Sequence, residues 1–231
     1  MSPRKIWIRV AMVTLLALCG RSLCAADDLA RVLSELDKAA PNFHTTSADF
    51  EFDTYQTDPF PDKDVQKGTA YYERKGRGFS MAAHISEVNG KPVPKVYTFA
   101  DGQFKLDDVM NNQVVTYKRA SKFESYVMLG FGASGKELAG KWDIKDDGPE
   151  TLDGVKIEKL ELVAKDTTVR KNFPKVTVWM DTARAVSLKQ VFDEGQGVSR
   201  VCVYFNIKVN EDLPADAFKL KTDAKTTYQE Q

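Results

Sequence analysis

The stretch "PKVTVWMDTARAVSLKQVFDEGQGVSRVCVYFNIKVN", residues 174–210, reads as three strands in succession. Val176, Val178 and Met180 share one face of the first, and Val186, Leu188 and Phe192 one face of the second. In the third, Val201, Val203, Phe205, Ile207 and Val209 alternate with Cys202, Tyr204, Asn206 and Lys208. A period of two over such lengths is the mark of strands with one buried face. The same habit begins at Ala48, where Phe50, Phe52 and Thr54 alternate with Asp49, Glu51 and Asp53, and continues where Phe79, Met81, Ala83 and Ile85 share a strand face. Asn89-Gly90, Asp101-Gly102 and Asp153-Gly154 mark tight hairpins. The pattern predicts a mainly β chain, an antiparallel meander of about ten strands. In "GVKIEKLELV", residues 154–163, Val155 and Ile157 fall in one register and Leu160 and Leu162 in the other, which predicts a bulge near Glu158 and Lys159. The proline-containing segment Asp58 to Gln66 reads as a long loop.

Two helical pieces interrupt the strands. Residues 29–40 place Leu29, Val32, Leu33 and Leu36 on one stripe, with Asp27 and Asp28 at the N-terminal end and Pro41 as the stop. The second lies within residues 121–141, where Ser121 with Glu124 and Ser134 with Glu137 have capping-box spacing. Between those boxes runs "MLGFGASGKELAG", residues 128–140, whose glycines mimic nucleotide-binding loops. A phosphate loop needs a strand before it, a helix after it, and Ser or Thr after its lysine. This chain has Glu137 after Lys136, an anion where phosphate would lie, so no nucleotide is expected. The reading is a hinge between two helical turns, with Gly130 as a helix stop and Gly130 and Gly132 free to bend.

The N-terminus, "MSPRKIWIRVAMVTLLALCGRSLCAAD", has a basic start, an apolar run from Val10 to Leu18 too short to span a membrane, and small residues before Asp27. It predicts a signal peptide, residues 1–26, cleaved to give an exported periplasmic chain. Leucine precedes both Cys19 and Cys24 where lipid attachment wants a small residue, so acylation is not expected. The first 26 residues carry Arg4, Lys5, Arg9 and Arg21 and no acid; of 33 Lys and Arg residues 29 remain, against 33 Asp and Glu, a net charge of −4. No basic field for nucleic acid is left. The expected organisation is one domain over residues 27–222 and a polar C-terminal tail, 223–231. Cys202 is the single cysteine of that mature chain. With His44 and His84 as the only histidines and no metal-ligand spacing, neither catalysis nor a metal or other cofactor is expected.

A sheet this long curls, and two short helices cannot fill the hollow. The residues alone leave open whether that hollow is fully packed or holds a ligand. By strand alternation, the side chains expected to point into it are Phe50, Phe52, Met81, Val178, Met180, Val203 and Phe205. Phe123, Val127, Leu129 and Phe131 are expected to press on it from the second helical piece.

"VWMDTARAVSLKQVFDEGQGVSRVCVYFNIKVNEDLPADAFKL", residues 178–220, resembles the C-terminal signature of the LolA-like periplasmic lipoprotein-sorting proteins. The matching residues are Trp179 and Asp181 at a strand end, Gly195 in the next turn, Phe205, Asn206, Ile207 and Asn210, then Leu213, Pro214 and Phe218. "ELDKAAPNFHTTSADFEF", residues 35–52, resembles that family's first helix and strand, and "TFADGQFKL", residues 98–106, its middle hairpin. The resemblance implies an incomplete, strongly curved antiparallel β-barrel with a helical lid over a hydrophobic cavity. It implies carriage of acyl chains of lipoproteins or other lipids, from an inner-membrane transporter to an outer-membrane acceptor. Where the resemblance places a lid-tying arginine, after Phe79, this chain has Ser80. A lipid-sensing or protein-binding β-domain without transport is the alternative that the same resemblance admits.

Overall fold

The computed structural model describes residues 28–76, 78–118 and 129–231. The signal-peptide segment, Ser121, Phe123, Glu124 and Val127 lie outside them. Helix α1 covers residues 28–39 and ends in a single 3-10 turn, Ala40–Asn42. Six strands follow: β1 (Thr45–Gln56), β2 (Asp62–Lys75), β3 (Gly78–Val88), β4 (Lys91–Ala100), β5 (Gln103–Asp108) and β6 (Gln113–Tyr117). Helix α2 (Gly135–Lys141) leads into β7 (Trp142–Leu152) and β8 (Val155–Ala164), and α3 (Thr167–Asn172) into β9 (Lys175–Asp181). The chain closes with β10 (Val186–Gly195), β11 (Val198–Val209) and β12 (Thr227–Glu230). Among the described residues no helix is long and apolar enough to cross a membrane.

Among the described residues, twelve strands form one sheet in the order β12-β6-β5-β4-β3-β2-β1-β11-β10-β9-β8-β7. Every pairing is antiparallel except β12 with β6. The sheet curls without closing, which is the incomplete barrel that the family resemblance implies. The three Asn-Gly and Asp-Gly turns have positive φ at both residues, from Asp153 at 49° to Gly154 at 79°. Those are the primed turns whose twist matches a hairpin's strands.

The inner face divides into two halves. Over β8 to β10 lies α1, whose Val32 and Leu36 are fully buried against Leu160, Leu162, Val176 and Val178. Glu158, on that same inner face, accepts from Arg31 of α1 at 2.6 Å. Helix α2 seals the end with Leu138, and Trp142 follows it into the core. The Ser134–Glu137 capping box is formed in both directions. This half is filled, and burial of a Leu or Val here contributes about 1.5–3 kcal/mol each.

The outer face of β3 to β6 is covered by the C-terminal chain. Ala217 lies over it with its carbonyl 2.9 Å from His84 Nε2, and the Lys221 amide donates to Asp107 at 2.5 Å. Ala82, Val96, Asp107 and Val114 are buried on that side. The chain then adds β12 to the edge, pairing Thr227 with Gln113. The polar tail of the sequence reading is therefore part of the sheet.

Three other expectations are corrected. The irregularity expected in β8 is in β7, where one extra residue, Asp147, lies between Asp146 and Gly148 against consecutive Leu160 and Lys159. β8 itself alternates without a break and carries apolar residues on both faces, Ile157 on one and Leu160 and Leu162 on the other. The loop expected over Asp58 to Gln66 ends early, since residues from Asp62 pair with β1. Its polar letters are spent at the rim, as in the 2.9 Å contact of Lys63 with Asp53. Among the described residues the sheet has twelve strands where about ten were expected, because the short β6 and β12 carry little alternation.

Candidate functional site

The half of the inner face that α1 leaves uncovered holds a slot of about 320 Å³. Phe50 and Phe52 of β1 form one wall, with Met81, Ala83 and Ile85 of β3 and Tyr97 and Phe104 of the next hairpin facing them. Ala70 and Ala83 are small where neighbouring strands carry rings, and that difference leaves the space. An adjoining chamber of about 370 Å³ shares Phe52, Tyr72, Met81 and Phe104 and extends to Phe173, Gln190 and Phe192. Each lies within the size range of small-ligand pockets, about 300–1,000 Å³.

Tyr72, Cys202 and Tyr204 are the polar groups of the slot's deep end. Burial pushes the Cys202 thiol up to about 12. Burial also raises both phenols, Tyr204 further through the electrostatic influence of its neighbours Cys202 and Tyr72. All three stay neutral across the physiological range, so an apolar guest meets no buried charge. A thiol held this far from its thiolate is a poor nucleophile, and His84 is occupied on the outer face by Ala217.

The glycine-rich stretch plugs this deep end. Phe131 stacks on Tyr72 at 4.0 Å and 10° and stands edge-on to Tyr204 at 4.9 Å and 81°. The expected hinge is instead pinned. The Gly130 carbonyl accepts from Ser187 N at 2.7 Å and the Gly132 amide donates to Ala185 O at 2.8 Å, which bridges Phe131 to Val186 at the start of β10. Gly130 and Gly132 have φ of 81° and 69°, and a Cβ would lie 2.4 Å from Ser187 Cβ and 2.3 Å from the Phe43 ring. The glycines serve close approach and a left-handed backbone, not swing. A proline at 132 could adopt neither that φ nor that hydrogen bond. Lys136 is exposed, and its amide is taken by Asp37 Oδ1 at 3.1 Å, so an anion already sits where phosphate would.

An arginine does tie this plug. Arg74 of β2 donates through Nη2 to the Gly132 carbonyl. Ser80, the residue singled out in the sequence, is buried on the opposite face from Met81.

The expected cavity residues separate into three groups. Phe50, Phe52 and Met81 line the slot. Val178 and Met180 face inward but are packed under α1 and Leu129 in the filled half. Val203 and Phe205 face outward: Val203 pairs with Glu51 and Lys189, and Phe205, 46 % exposed, with Asp49. Cys202 and Tyr204 take the inner face instead. The cause is a bulge at Asn206, whose φ is 52° and whose side chain donates to Asp49 Oδ2 at 2.8 Å. It shifts the register between Asp49 and Ser47, so Ile207 and Val209 pack inward although Val201, Val203 and Phe205 do not. Of the lid candidates, Leu129 is buried in the filled half and Phe131 closes the slot. Tyr72, Tyr97, Phe104, Arg200 and Tyr204 were missed; the aromatic letters of "TAYYERK", residues 69–75, were the available signal.

The residues that carried the family resemblance have structural jobs. Asp181 accepts from the amides of Ala183 and Arg184 and from Arg184 Nε, building the turn into β10. Asn210 accepts from His44 N at 2.8 Å and donates to Asn42 O at 2.7 Å, fixing the passage from α1 to β1. Trp179 lies on the outer face with Lys189 Nζ 4.7 Å from its ring.

No family model matches the chain, and no curated protein matches it in sequence. Among solved structures it is similar to an uncharacterized conserved protein of Thermus thermophilus, with a TM-score of 0.55 and 12% identity over 87% of this chain and 98% of that one. It is also similar to MucB of Pseudomonas aeruginosa, with a TM-score of 0.51 and 10% identity over 84% of this chain and 62% of MucB. A LolA superfamily protein of Nitrosomonas europaea aligns with a TM-score of 0.39 and 15% identity over 82% of this chain and 96% of its own. At such identities the likeness to the first two is one of fold alone.

Proposed function

We propose that this protein is a periplasmic carrier that holds the acyl chain of a lipoprotein or another lipid in the inner-face slot, exported by way of residues 1–26. The observation that carries the reading is the contrast between the two halves of the sheet. One is packed solid beneath α1, and the other keeps an aromatic and aliphatic slot whose polar groups are neutral at its deep end. Burying a chain of about fourteen methylenes at roughly 0.8 kcal/mol each is worth on the order of 11 kcal/mol. Association opposes this by about 4–15 kcal/mol, leaving a modest affinity suited to a carrier that must release its cargo. In this scheme the cargo comes from an inner-membrane transporter and passes to an outer-membrane acceptor, and no chemical step is needed.

The experiment is titration of a fluorescent fatty acid into the wild type and into Ala83→Phe, which fills the slot without adding charge. Saturable binding lost in a variant of unchanged β-sheet circular dichroism supports the reading. Equal binding by the two proteins refutes the slot as the site.

A further inference from the structure

We infer that the cargo carries an anionic head, held by Arg200, with its tail directed toward Phe131; the inference rests on the slot being the lipid site. Among the described residues lining the two chambers Arg200 is the only charged one, and it lines both. On β11 the inner positions run Arg200, Cys202, Tyr204, and Phe131 closes on the Tyr204 ring. Arginine and plug thus stand at opposite ends, Arg200 lying about 13 Å along β11 from the Tyr204 that Phe131 caps, at roughly 3.3 Å per strand residue. Between them the polar groups are uncharged. A slot with one cation at one end and apolar walls beyond it matches an amphiphile, charged at its head alone.

The guanidinium is available for that head. Among the described residues its one partner is Glu194, whose Oε1 lies 2.5 Å from Nε. That Nε is buried and not aligned for a hydrogen bond, and the two terminal nitrogens have no partner among the described residues. Asp64, across β1 from Arg200, is engaged by Asn89 at 2.7 Å. A carboxylate or phosphate meets the open edge of the guanidinium with two parallel hydrogen bonds. A neutral ester cannot match the charge. Glu194 competes with the incoming anion, so its neutralisation is expected to strengthen binding.

Calorimetric titrations of the full chain with hexadecanoate, its methyl ester and hexadecyl phosphate test this. Wild type is expected to bind the two anions about tenfold or more tightly than the ester. Arg200→Gln should remove that preference while keeping ester affinity, Arg200→Lys should keep most of it, and Glu194→Gln should enlarge it. The stronger of the two anions then identifies the head as carboxylate or phosphate. Equal binding of acid and ester by the wild type overturns the head-group inference and leaves the slot reading standing, as does a preference that survives in Arg200→Gln. Failure of all three ligands to bind refutes the slot itself.

Discussion

Replacing Phe131 by alanine separates the plug from the pocket it closes. The ring is 3 % exposed, stacked on Tyr72 and edge-on to Tyr204. Its backbone is held independently by the Gly130 and Gly132 hydrogen bonds, so the variant keeps the strand bridge and loses only the ring. A buried Phe→Ala change costs about 3–5 kcal/mol, of which each aromatic pair supplies roughly 0.5–1.5 kcal/mol. The hole opens directly into the slot, because Tyr72 and Tyr204 line it. The urea midpoint of the empty variant should therefore fall by that amount divided by the m-value. Its preferred fatty-acid chain should become longer, and a saturating long chain at about a hundred times its Kd should restore about 2.7 kcal/mol. A loss below about 1 kcal/mol, or a chain-length preference equal to that of the wild type, would refute the plug.

The two faces of the sheet give a paired test. Phe52→Glu should abolish fatty-acid binding, with a loss of stability from the buried carboxylate, whereas Phe205→Glu should leave binding intact because its side chain faces outward; the reverse result would restore the uninterrupted alternation read from the sequence. Cys202 should resist iodoacetamide at pH 8 in the folded protein and react in urea. Its folded value of about 12 lies above the unfolded value of about 8.5, so its stabilisation is complete below pH ~8.5 and fades as pH rises toward 12, by up to about 1.4 kcal/mol per pH unit. Urea denaturation between pH 8 and 11 reads this, and stability that rises with pH there contradicts it. Truncation after Asn210 should uncover Ala82, Val96 and Val114 and lower the unfolding midpoint by several degrees, whereas a dispensable tail would leave it unchanged.

The strands and their turns were legible because period and turn chemistry are local: Asn89-Gly90 dictates its own backbone, and Phe50 and Phe52 advertise their face. The register of β11 was not legible, because the letters alternate without interruption from Val201 to Val209 while Asn206 shifts the face in mid-strand. Nothing nearby marks that asparagine, whose partner is Asp49, 157 residues away. The packed and open halves of the inner face were equally hidden. Val178 and Phe52 look alike in sequence, and only the placement of α1 separates them. The hinge reading failed for a related reason. Gly132 does permit motion by itself, but the Phe43 ring lies where its side chain would be, and that contact joins segments distant along the chain.

The two seams formed by β1 with β11 and by β6 with β12 impose an order of assembly. Strands β1 to β6 are successive hairpins that form from neighbours along the chain, yet both edges of that block are completed by segments near the C-terminus, Thr46 by Val209 and Gln113 by Thr227. A nascent chain that has not yet delivered those segments carries two raw strand edges and an uncovered outer face. Pairings of this separation are slow because loop closure precedes any gain. Completion of this block therefore waits until residues 198–230 have been delivered. Under the export proposed above, that delay would keep the chain threadable, while the exposed edges make it depend on protection during the interval.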